Sequence, residues 1–345
     1  MYTIGVDVGG TSARVALLDE NFNIVKKETI STGKRDFEIV IKEIADLINN
    51  IDPDRKALLV GFDTPGPLDL EKGMILDAPN LPTWSNKPFV NKIEELTGRK
   101  TYLTNDANAA ALAQAIEDKS ETLVFITVST GVGGGIVYQG KLMEGKKAYA
   151  GEFGLMIISD DDRHHEQLYK GTLESLCSGT ALSLEASKRY NREVSTKELF
   201  DLYEDKDSIA IEIIDLWVEH FSRAIANLLQ IIEPEVFYIG GSVVLFNPWL
   251  LDMVKEKTKN KLYEGLKDRV NLKIARYGED AGIVGAAYNA FVNSKEIVWY
   301  NFQRISIGDL LHQQPNQKEL LIKMVRVKVF GIYGIEKNHI NFIIK

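Results

Sequence analysis

Two segments about 120 residues apart share one design, in which a strand rich in β-branched residues, a glycine-rich turn and a second strand follow one another. The first spans residues 3–19 and turns at Gly9 and Gly10; the second spans residues 123–137 and turns at residues 129–135. Both turns are candidate phosphate cradles, because glycine lets backbone amides approach an anion closely. A plain hairpin explains the first turn equally well. The second holds four glycines in five positions, more than a hairpin needs. This repeat predicts two halves built on one plan.

Buried strands and amphipathic helices alternate along the rest of the chain. Residues 57–62 form a short apolar run that is typical of a strand buried on both faces. Residues 37–49 and 215–232 carry apolar side chains at helical spacing. A third glycine turn, at residues 240–241, lies between a strand and a helix and suits close approach of a flat or anionic ligand. The pattern predicts an α/β protein, with residues 280–291 as a closing helix of small residues.

A carboxylate, Asp106, stands where an extended run gives way to an alanine-rich helix. The N-terminal dipole of that helix would keep Asp106 ionised and able to accept a proton, which makes it a candidate catalytic base. The alternative is that Asn105 or Asp106 only caps the helix, the commonest reason for such residues at a helix start. The stretch alone favours the capping role, and only the other motifs of the chain favour catalysis.

Other candidate site residues lie in loops. Gly66 and Asn80 belong to two proline-rich loops beside predicted strands, where a rigid scaffold can aim polar groups at a ligand, although ordinary turn chemistry also explains such loops. Glu152 and Glu174 occur in short glutamate motifs, and a lone glutamate is usually solvated surface. Asp7, just before the first glycine turn, is placed to hold a metal ion through water.

Composition excludes several classes of protein. Among 345 residues, 45% are hydrophobic and 26% charged, which is ordinary for a soluble globular protein. The net charge of −8 gives no general attraction to nucleic acid or to an anionic membrane. The single cysteine, Cys177, excludes an internal disulfide and a multi-cysteine zinc site. With no leader-like segment and no long apolar run, we expect a cytoplasmic protein without a membrane or nucleic-acid partner.

Taken together, the motifs resemble the ROK family of sugar kinases within the actin, hexokinase and Hsp70 superfamily. They follow the family's order and spacing over roughly residues 1–293. The matching motifs are Asp7-Val-Gly-Gly-Thr11, Pro65-Gly-Pro67, Ala78-Pro-Asn-Leu-Pro82, Asn105-Asp-Ala-Asn-Ala-Ala-Ala111, Ser129-Thr-Gly-Val-Gly-Gly-Gly135, Gly151-Glu-Phe-Gly154, Leu173-Glu174, Ser178-Gly-Thr180, Ile239-Gly-Gly241 and Asp280-Ala-Gly282.

The resemblance implies a fold of two ribonuclease-H-like domains flanking a cleft. We expect a small domain of residues 1–108 plus 280–293 and a large domain of residues 109–279. Residues 294–345 lie outside the family pattern. This extension holds eight Lys or Arg and four Asp or Glu, and two alternating stretches in it predict a β-hairpin. We also expect a homodimer or a higher homo-oligomer.

The same resemblance implies ATP-dependent phosphorylation of a sugar 6-hydroxyl, with Asp106 as the general base. ATP and Mg²⁺ are the implied cofactors, and Asp7 would hold Mg²⁺ through water. The implied sugar ligands are Gly66, Asn80, Asn105, Glu152 and Glu174. The implied nucleotide-binding residues are Gly9, Gly10, Thr11, Thr130, Gly131 and Gly241. Phosphoryl transfer depends mostly on positioning and charge stabilisation, which carboxylates and glycine-turn amides can supply.

Two departures from the family pattern concern zinc. Family members usually have His after Gly-Glu-x-Gly, whereas this chain has Leu155, and residues 156–173 contain none of the usual cysteines. We therefore predict that the family's zinc site is absent. The loss falls near sugar carbons 1 and 2, and the apolar Leu155 suits an acetyl methyl group. We expect a hexose or N-acetylhexosamine substrate, with N-acetylmannosamine first and glucose second.

Two other functions compete with a sugar kinase. Sugar-responsive regulators of the same family carry a helix-turn-helix ahead of the kinase-like body, and the first predicted strand here begins at Thr3, which leaves no room for one. The presence of Asp106 also favours catalysis. An actin-like ATPase would hydrolyse ATP without stimulation by any sugar.

Overall fold

Strands and helices alternate along the first 290 residues and form two sheets. The computed structural model describes residues 1–77, 81–118, 120–145 and 149–304, without the side chains of residue 117 and of residues 295–304. The chain divides into two units, Met1–Ala290 and Phe291–Lys345, and the sheets belong to the first. Asn80 and the predicted hairpin of the C-terminal extension lie outside the described residues.

The elements have the following bounds. The strands are β1 Tyr2–Val8, β2 Ser12–Leu18, β3 Ile24–Ser31, β4 Ala57–Thr64, β5 Leu68–Asp69, β6 Met74–Ile75, β7 Lys100–Asn105, β8 Leu123–Val128, β9 Val132–Tyr138, β10 Lys141–Leu142, β11 Val236–Gly240 and β12 Leu272–Ile274. The helices are α1 Phe37–Ile51, α2 Phe89–Thr97, α3 Asp106–Asp118, α4 Leu173–Cys177, α5 Gly179–Tyr190, α6 Thr196–Glu204, α7 Ser208–Ile232, α8 Ser242–Leu245, α9 Leu250–Lys259, α10 Glu264–Lys267 and α11 Ala281–Arg304.

The two five-stranded sheets are built alike. The first has the order β3-β2-β1-β4-β7 and the second the order β10-β9-β8-β11-β12. In each sheet an antiparallel hairpin, β1–β2 or β8–β9, adjoins strands that run parallel to its first member. The predicted repeat of one plan is therefore confirmed, and so is the α/β class. The domain boundaries expected from the sequence stay a prediction.

Each sheet has its own hydrophobic core. Helix α1 covers the first sheet with the apolar stripe expected from its spacing. Helix α7 belongs to the core of the second sheet. It begins at Ser208, seven residues before the start that apolar spacing predicted. The earlier start has a local cause, because the Asp207 side chain accepts hydrogen bonds from the amides of Ile209 and Ala210 and so caps the helix.

Helix α11 crosses the first sheet and helix α3 at glycines. A Cβ atom at Gly61 would lie 1.7 Å from the carbonyl oxygen of Ala286, and one at Gly285 would lie 1.7 Å from that of Ala109. Only glycine permits backbones to approach this closely. Helix α3 itself contacts strands of both sheets, β4 and β7 of the first and β8 and β9 of the second. The helix that begins with Asp106 is therefore fixed between the two sheets.

No helix among the described residues combines the length and the apolar character that crossing a bilayer requires.

Candidate active site

Three neighbouring parallel strands end in polar side chains at one edge of the first sheet. Asp7 of β1 lies opposite Asp63 of β4, and Asp63 lies opposite Thr104 of β7. Asp106 follows Thr104 by two residues. The carboxyl ends of parallel strands are the usual place for a ligand site in α/β folds. This edge of the first sheet is therefore the candidate active site.

Asn105 performs most of the capping at the start of α3. Its Oδ1 accepts hydrogen bonds from the amides of Ala107 at 3.0 Å and Asn108 at 3.3 Å. Asp106 accepts one bond, at 2.8 Å, from the amide of Ala107, and its side chain is exposed to solvent. Because Asn105 already caps the helix, Asp106 is not required for that role.

The environment of Asp106 raises the pKa of its carboxyl group. Water reaches the side chain from one side, but protein surrounds it on the others, and the resulting desolvation is the largest cause of the raised pKa. The negative charge of Asp7 adds to the effect, and the hydrogen bond from the Ala107 amide opposes it. A carboxylate with a raised pKa is a stronger base and suits proton abstraction near neutral pH.

Glu152 lies close enough to Asp106 and to Glu174 for both charges to act on it. Burial is the largest cause that raises the pKa of Glu152, and the charges of Asp106 and Glu174 raise it further. Glu174 stands in the first turn of α4, which Thr172 caps. Its Oε2 accepts a hydrogen bond of 2.8 Å from the amide of Val132. Glu174 therefore touches the second glycine turn directly.

The glycine at position 131 makes this contact possible. A Cβ atom there would lie 2.9 Å from Oε2 of Glu174. Gly66 follows β4, and Asn105 ends β7, the neighbouring strand in the first sheet. The Nδ2 atom of Asn105 lies 3.6 Å from the position that a Cβ of Gly66 would take. The structure thus brings Gly66 next to Asn105, Glu174 next to Gly131, and Glu152 within electrostatic reach of Asp106 and Glu174.

The second and third glycine turns also meet. The Ser242 amide donates a hydrogen bond of 3.1 Å to Oγ of Ser129. Gly241 has a φ of +84°, and a Cβ there would lie 2.2 Å from the carbonyl oxygen of Val128. Beside these turns is a cavity of about 790 Å³. Its lining residues are Ser129, Thr130, Gly179, Thr180, Ser183, Leu184, Ser195, Thr196, Lys197, Phe200, Asp201, Glu204, Ser242, Val243, Phe246 and Asn247.

The predicted nucleotide-binding residues are divided between this cavity and the first sheet. Thr130 lines the cavity, and Gly131 and Gly241 lie in the turns next to it. Gly9, Gly10 and Thr11 form the β1–β2 turn, where the Gly9 amide donates to the Ser12 carbonyl oxygen at 2.9 Å. Their assignment to the nucleotide stays a prediction.

The residues around Asp7 fit a magnesium ion. The Nε atom of Arg14 donates a hydrogen bond of 2.9 Å to Oδ2 of Asp7. Asp63 is fully buried, and neither of its carboxyl oxygens has an N–H donor among the described residues. Burial, and then the charges of Asp7 and Asp106, raise the pKa of Asp63 well above its ordinary value. Carboxylate oxygens are ligands that Mg²⁺ prefers, and a buried carboxyl group without such a donor is one that a cation would satisfy.

Within the described ranges, no three His, Cys, Asp or Glu side chains are arranged so that all could hold one metal ion. Mg²⁺ does not need such a set, because it usually takes one or two carboxylates together with substrate phosphates and water.

Sequence reasoning did not identify Arg14 or Asp63. A signal for Asp63 was available, because a charged residue directly follows the apolar run 57–62 of a buried strand. Arg14 gave no such signal, since a charged residue in a hairpin strand is usually solvated surface.

The loop after Glu152 is fastened by backbone hydrogen bonds and one arginine. The Leu173 amide donates to the Met156 carbonyl oxygen, and the Ile158 amide to that of Gly171, both at 2.9 Å. Arg163 pairs with Asp161 at 2.9 Å and lies 3.8 Å from Glu185. Leu155 is 56% exposed. These contacts hold the loop in place. The absence of zinc stays a prediction.

The chain is similar to several known sugar kinases. It is 32% identical to a glucokinase of Thermotoga maritima over 305 residues, which cover 82% of this chain and 95% of the relative. It is 30% identical to an N-acetyl-D-glucosamine kinase of Vibrio atlanticus over 298 residues, covering 82% of this chain and 98% of the relative.

A solved structure and a family model agree with these relatives. The crystal structure of a ROK hexokinase from Thermus thermophilus matches with a TM-score of 0.79 and 31% identity, covering 86% of this chain and 100% of the other. The model of the ROK family matches residues 3–291. On the sequence motifs, the paired sheets and these similarities, the chain belongs to the ROK family.

Proposed function

We propose that this protein is an ATP-dependent sugar 6-kinase in which Asp106 is the general base. The observation that carries the proposal is the position of Asp106 at the sheet edge, where its charge acts on Glu152 and its own pKa is raised. The named relatives are a glucokinase and an N-acetyl-D-glucosamine kinase, which supports a hexose or an N-acetylhexosamine as the substrate class.

In this mechanism the protein positions two reactants and moves one proton. Glu152, Glu174 and Asn105 bind sugar hydroxyls, because carboxylate and amide oxygens accept hydrogen bonds from them. Asp106 takes the proton of the 6-hydroxyl as that oxygen attacks the γ-phosphorus of ATP. The bond from the γ-phosphorus to the β,γ-bridging oxygen breaks, and ADP leaves. The nucleotide lies in the cavity beside Thr130. Bound Mg²⁺, held through Asp7, would neutralise charge on the phosphoryl oxygens.

A panel of sugars tests this function. ATP consumption is measured with glucose, mannose, fructose, N-acetylglucosamine and N-acetylmannosamine, and the product is checked for a phosphate on oxygen 6. We expect turnover that depends on the sugar. Hydrolysis of ATP that no sugar stimulates would favour an actin-like ATPase, and sugar binding without turnover would favour a regulator.

We propose N-acetylmannosamine as the best substrate and glucose as the next, on the ground that Leu155 presents an apolar surface where family members usually have a histidine. Leu155→His should lower the ratio of kcat/KM for N-acetylmannosamine to that for glucose by about 10-fold, the size of a lost methyl contact. Ile157→His, at a neighbouring position of similar exposure, is the control and should leave the ratio unchanged. If Leu155→His left the ratio of the two kcat/KM values unchanged, Leu155 would give no reason to place N-acetylmannosamine before glucose.

The pH profile provides a further test. Catalysis requires the ionised form of Asp106, so kcat/KM should fall on the acid side as pH decreases through the pKa of this group. Because desolvation raises that pKa, the acid limb should lie above the ordinary aspartate value of 3.8. A profile that stays flat down to 3.8 would contradict the assignment of Asp106.

We also propose that the protein is cytoplasmic and forms a homodimer or a higher homo-oligomer. Size-exclusion chromatography with light scattering measures the number of chains in the assembly directly.

A further inference from the structure

Asp63 is a buried carboxyl group for which the proposed reaction has so far no use. It lies on β4, the strand between β1 and β7 in the first sheet, and it has no exposed surface. Residues opposite each other on parallel strands project to the same face of the sheet. The register that pairs Asp7 with Asp63 therefore places their side chains together on one face.

The nearest polar partner of Asp63 is another carboxyl group, that of Asp7. A hydrogen bond between the two groups favours the protonated form of Asp63, in which its O–H donates to Asp7. Among the described residues no N–H group, and no O–H group of another residue type, donates to either oxygen of Asp63. Two neighbouring carboxyl groups cannot easily both be ionised unless a cation lies between them. A bound divalent cation would replace the proton of Asp63 and allow both groups to ionise.

Without a bound cation, the surroundings of Asp63 disfavour the ionised form of its carboxyl group. Asp7 and Asp106 are both close enough for their charges to act on it. Arg14 contributes positive charge, but its hydrogen bonds go to Asp7. The beginning of α11 packs beside Asp63, and a Cβ at Gly282 would lie 3.1 Å from its Oδ2. Gly282 therefore adds no side chain that could satisfy the carboxyl group.

We propose that Asp63 and Asp7 together are the carboxylate ligands of the divalent cation that accompanies ATP. Two carboxylates from adjacent strands, with phosphate oxygens and water, match the ligand set that Mg²⁺ commonly takes in phosphoryl-transfer sites. This inference rests on the proposed kinase function. It assigns a metal-binding role to a residue that neither the motifs nor the similarity to relatives singles out.

The competing explanation is structural. Asp63 could serve only as a buried counter-charge for Arg14, whose guanidinium is held against Asp7. In that case removal of the Asp63 charge would change the stability of the sheet or the position of Arg14, and it would not affect metal binding selectively. An experiment that compares nucleotide binding with and without metal separates the two roles.

The test measures metal-dependent nucleotide binding without turnover. Isothermal titration calorimetry gives the Kd of AMPPNP, a non-hydrolysable ATP analogue, in the presence and in the absence of Mn²⁺. The Kd without Mn²⁺ divided by the Kd with Mn²⁺ measures how much the metal ion strengthens nucleotide binding. We expect Asp63→Asn to reduce this ratio by about 10-fold or more, because mutation of even the outer-shell partners of a metal ion typically costs about 10- to 100-fold in affinity. The Kd of metal-free AMPPNP should stay unchanged.

A matched control is available in the same sheet. Thr3 of β1 is also fully buried, and its hydroxyl has no partner in the described structure. Thr3→Val should leave the ratio unchanged. Asp63→Ser, which has a smaller side chain, is a second variant for the case that Asp63→Asn folds poorly. It should show the same reduction of the ratio.

Each result decides for or against the metal role of Asp63. An unchanged ratio in Asp63→Asn, or equal weakening of AMPPNP with and without Mn²⁺, overturns it while the kinase function stands. A wild-type protein that phosphorylates sugar but shows no effect of Mn²⁺ on AMPPNP binding also overturns it. Failure of the wild-type protein to bind AMPPNP at all would overturn the proposed function as well.

Discussion

Asp106→Asn is expected to lower kcat for sugar phosphorylation by about 1,000-fold, within the range that a positioned general base contributes. The amide cannot take the proton of the attacking hydroxyl, while its oxygen can still accept the hydrogen bond from the Ala107 amide. The binding site should remain intact, so the Kd of the sugar should change little. Steady-state kinetics and calorimetric titration of the sugar measure the two effects separately.

The control for this substitution lies on the same helix. Asp118 is the last residue of α3 and pairs with Lys273 at 3.0 Å, away from the acids of the site. Asp118→Asn should keep wild-type kcat. Full sugar-dependent turnover in Asp106→Asn would show that the proposed base is wrong.

The same variant should be more stable than the wild-type protein. The pKa of Asp106 is raised in the folded state, so the folded protein binds this proton more tightly than the unfolded chain does. Stability contributed by the protonated form is therefore lost as pH rises through the raised pKa, and at neutral pH the ionised group destabilises the fold. Asparagine removes that cost, and thermal unfolding at neutral pH should show a higher Tm.

Gly285→Ala is expected to destabilise the protein by at least about 3 kcal/mol, which is the cost of severe overpacking. The new Cβ would lie 1.7 Å from the carbonyl oxygen and 2.3 Å from the carbonyl carbon of Ala109. These are backbone atoms of α3, so they can move only if the helix moves. Alanine gains about 1 kcal/mol of helix propensity over glycine, which is too little to offset the clash.

Thermal and urea unfolding measure this effect. A loss of about 3 kcal/mol lowers the Tm of a protein of this size by about 4 °C. Gly265→Ala is the control, because Gly265 lies in α10 and no atom comes within 4 Å of the Cβ it would gain. That variant should unfold at the same temperature or slightly higher. Equal Tm values for Gly285→Ala and the wild-type protein would show that the α3–α11 contact is looser than described.

Sequence patterns located a helix or a hairpin well where the residues that fix its position lie within it. The apolar spacing of α1 located its first residue, and the glycine turns located both hairpins. The start of α7 was placed too late, because the deciding feature was a capping side chain, Asp207, and not an apolar stripe. The motif order also predicted the family, which the family model then confirmed.

The candidate site was predictable in part. The sequence singled out Asp106 as well as both glutamates, because each belongs to a recognisable motif. It could not show that Glu174 accepts a hydrogen bond from Val132, since 42 residues separate them in the chain. It also passed over Asp63, whose importance depends on the residues of β1 and β7 that lie on either side of it.

The sequence by itself determined the α/β class, the repeat of one plan and the family, and it singled out the residue that we propose as the base. Each of these depends on residue types at short spacing, which local propensity and turn chemistry control. Only the tertiary structure decided that Asn105 caps α3 and leaves Asp106 exposed, and that Asp63 lies buried beside Asp7 without an N–H donor. Those features arise where distant segments meet, and the burial and charge found there do not exist until the strands pair.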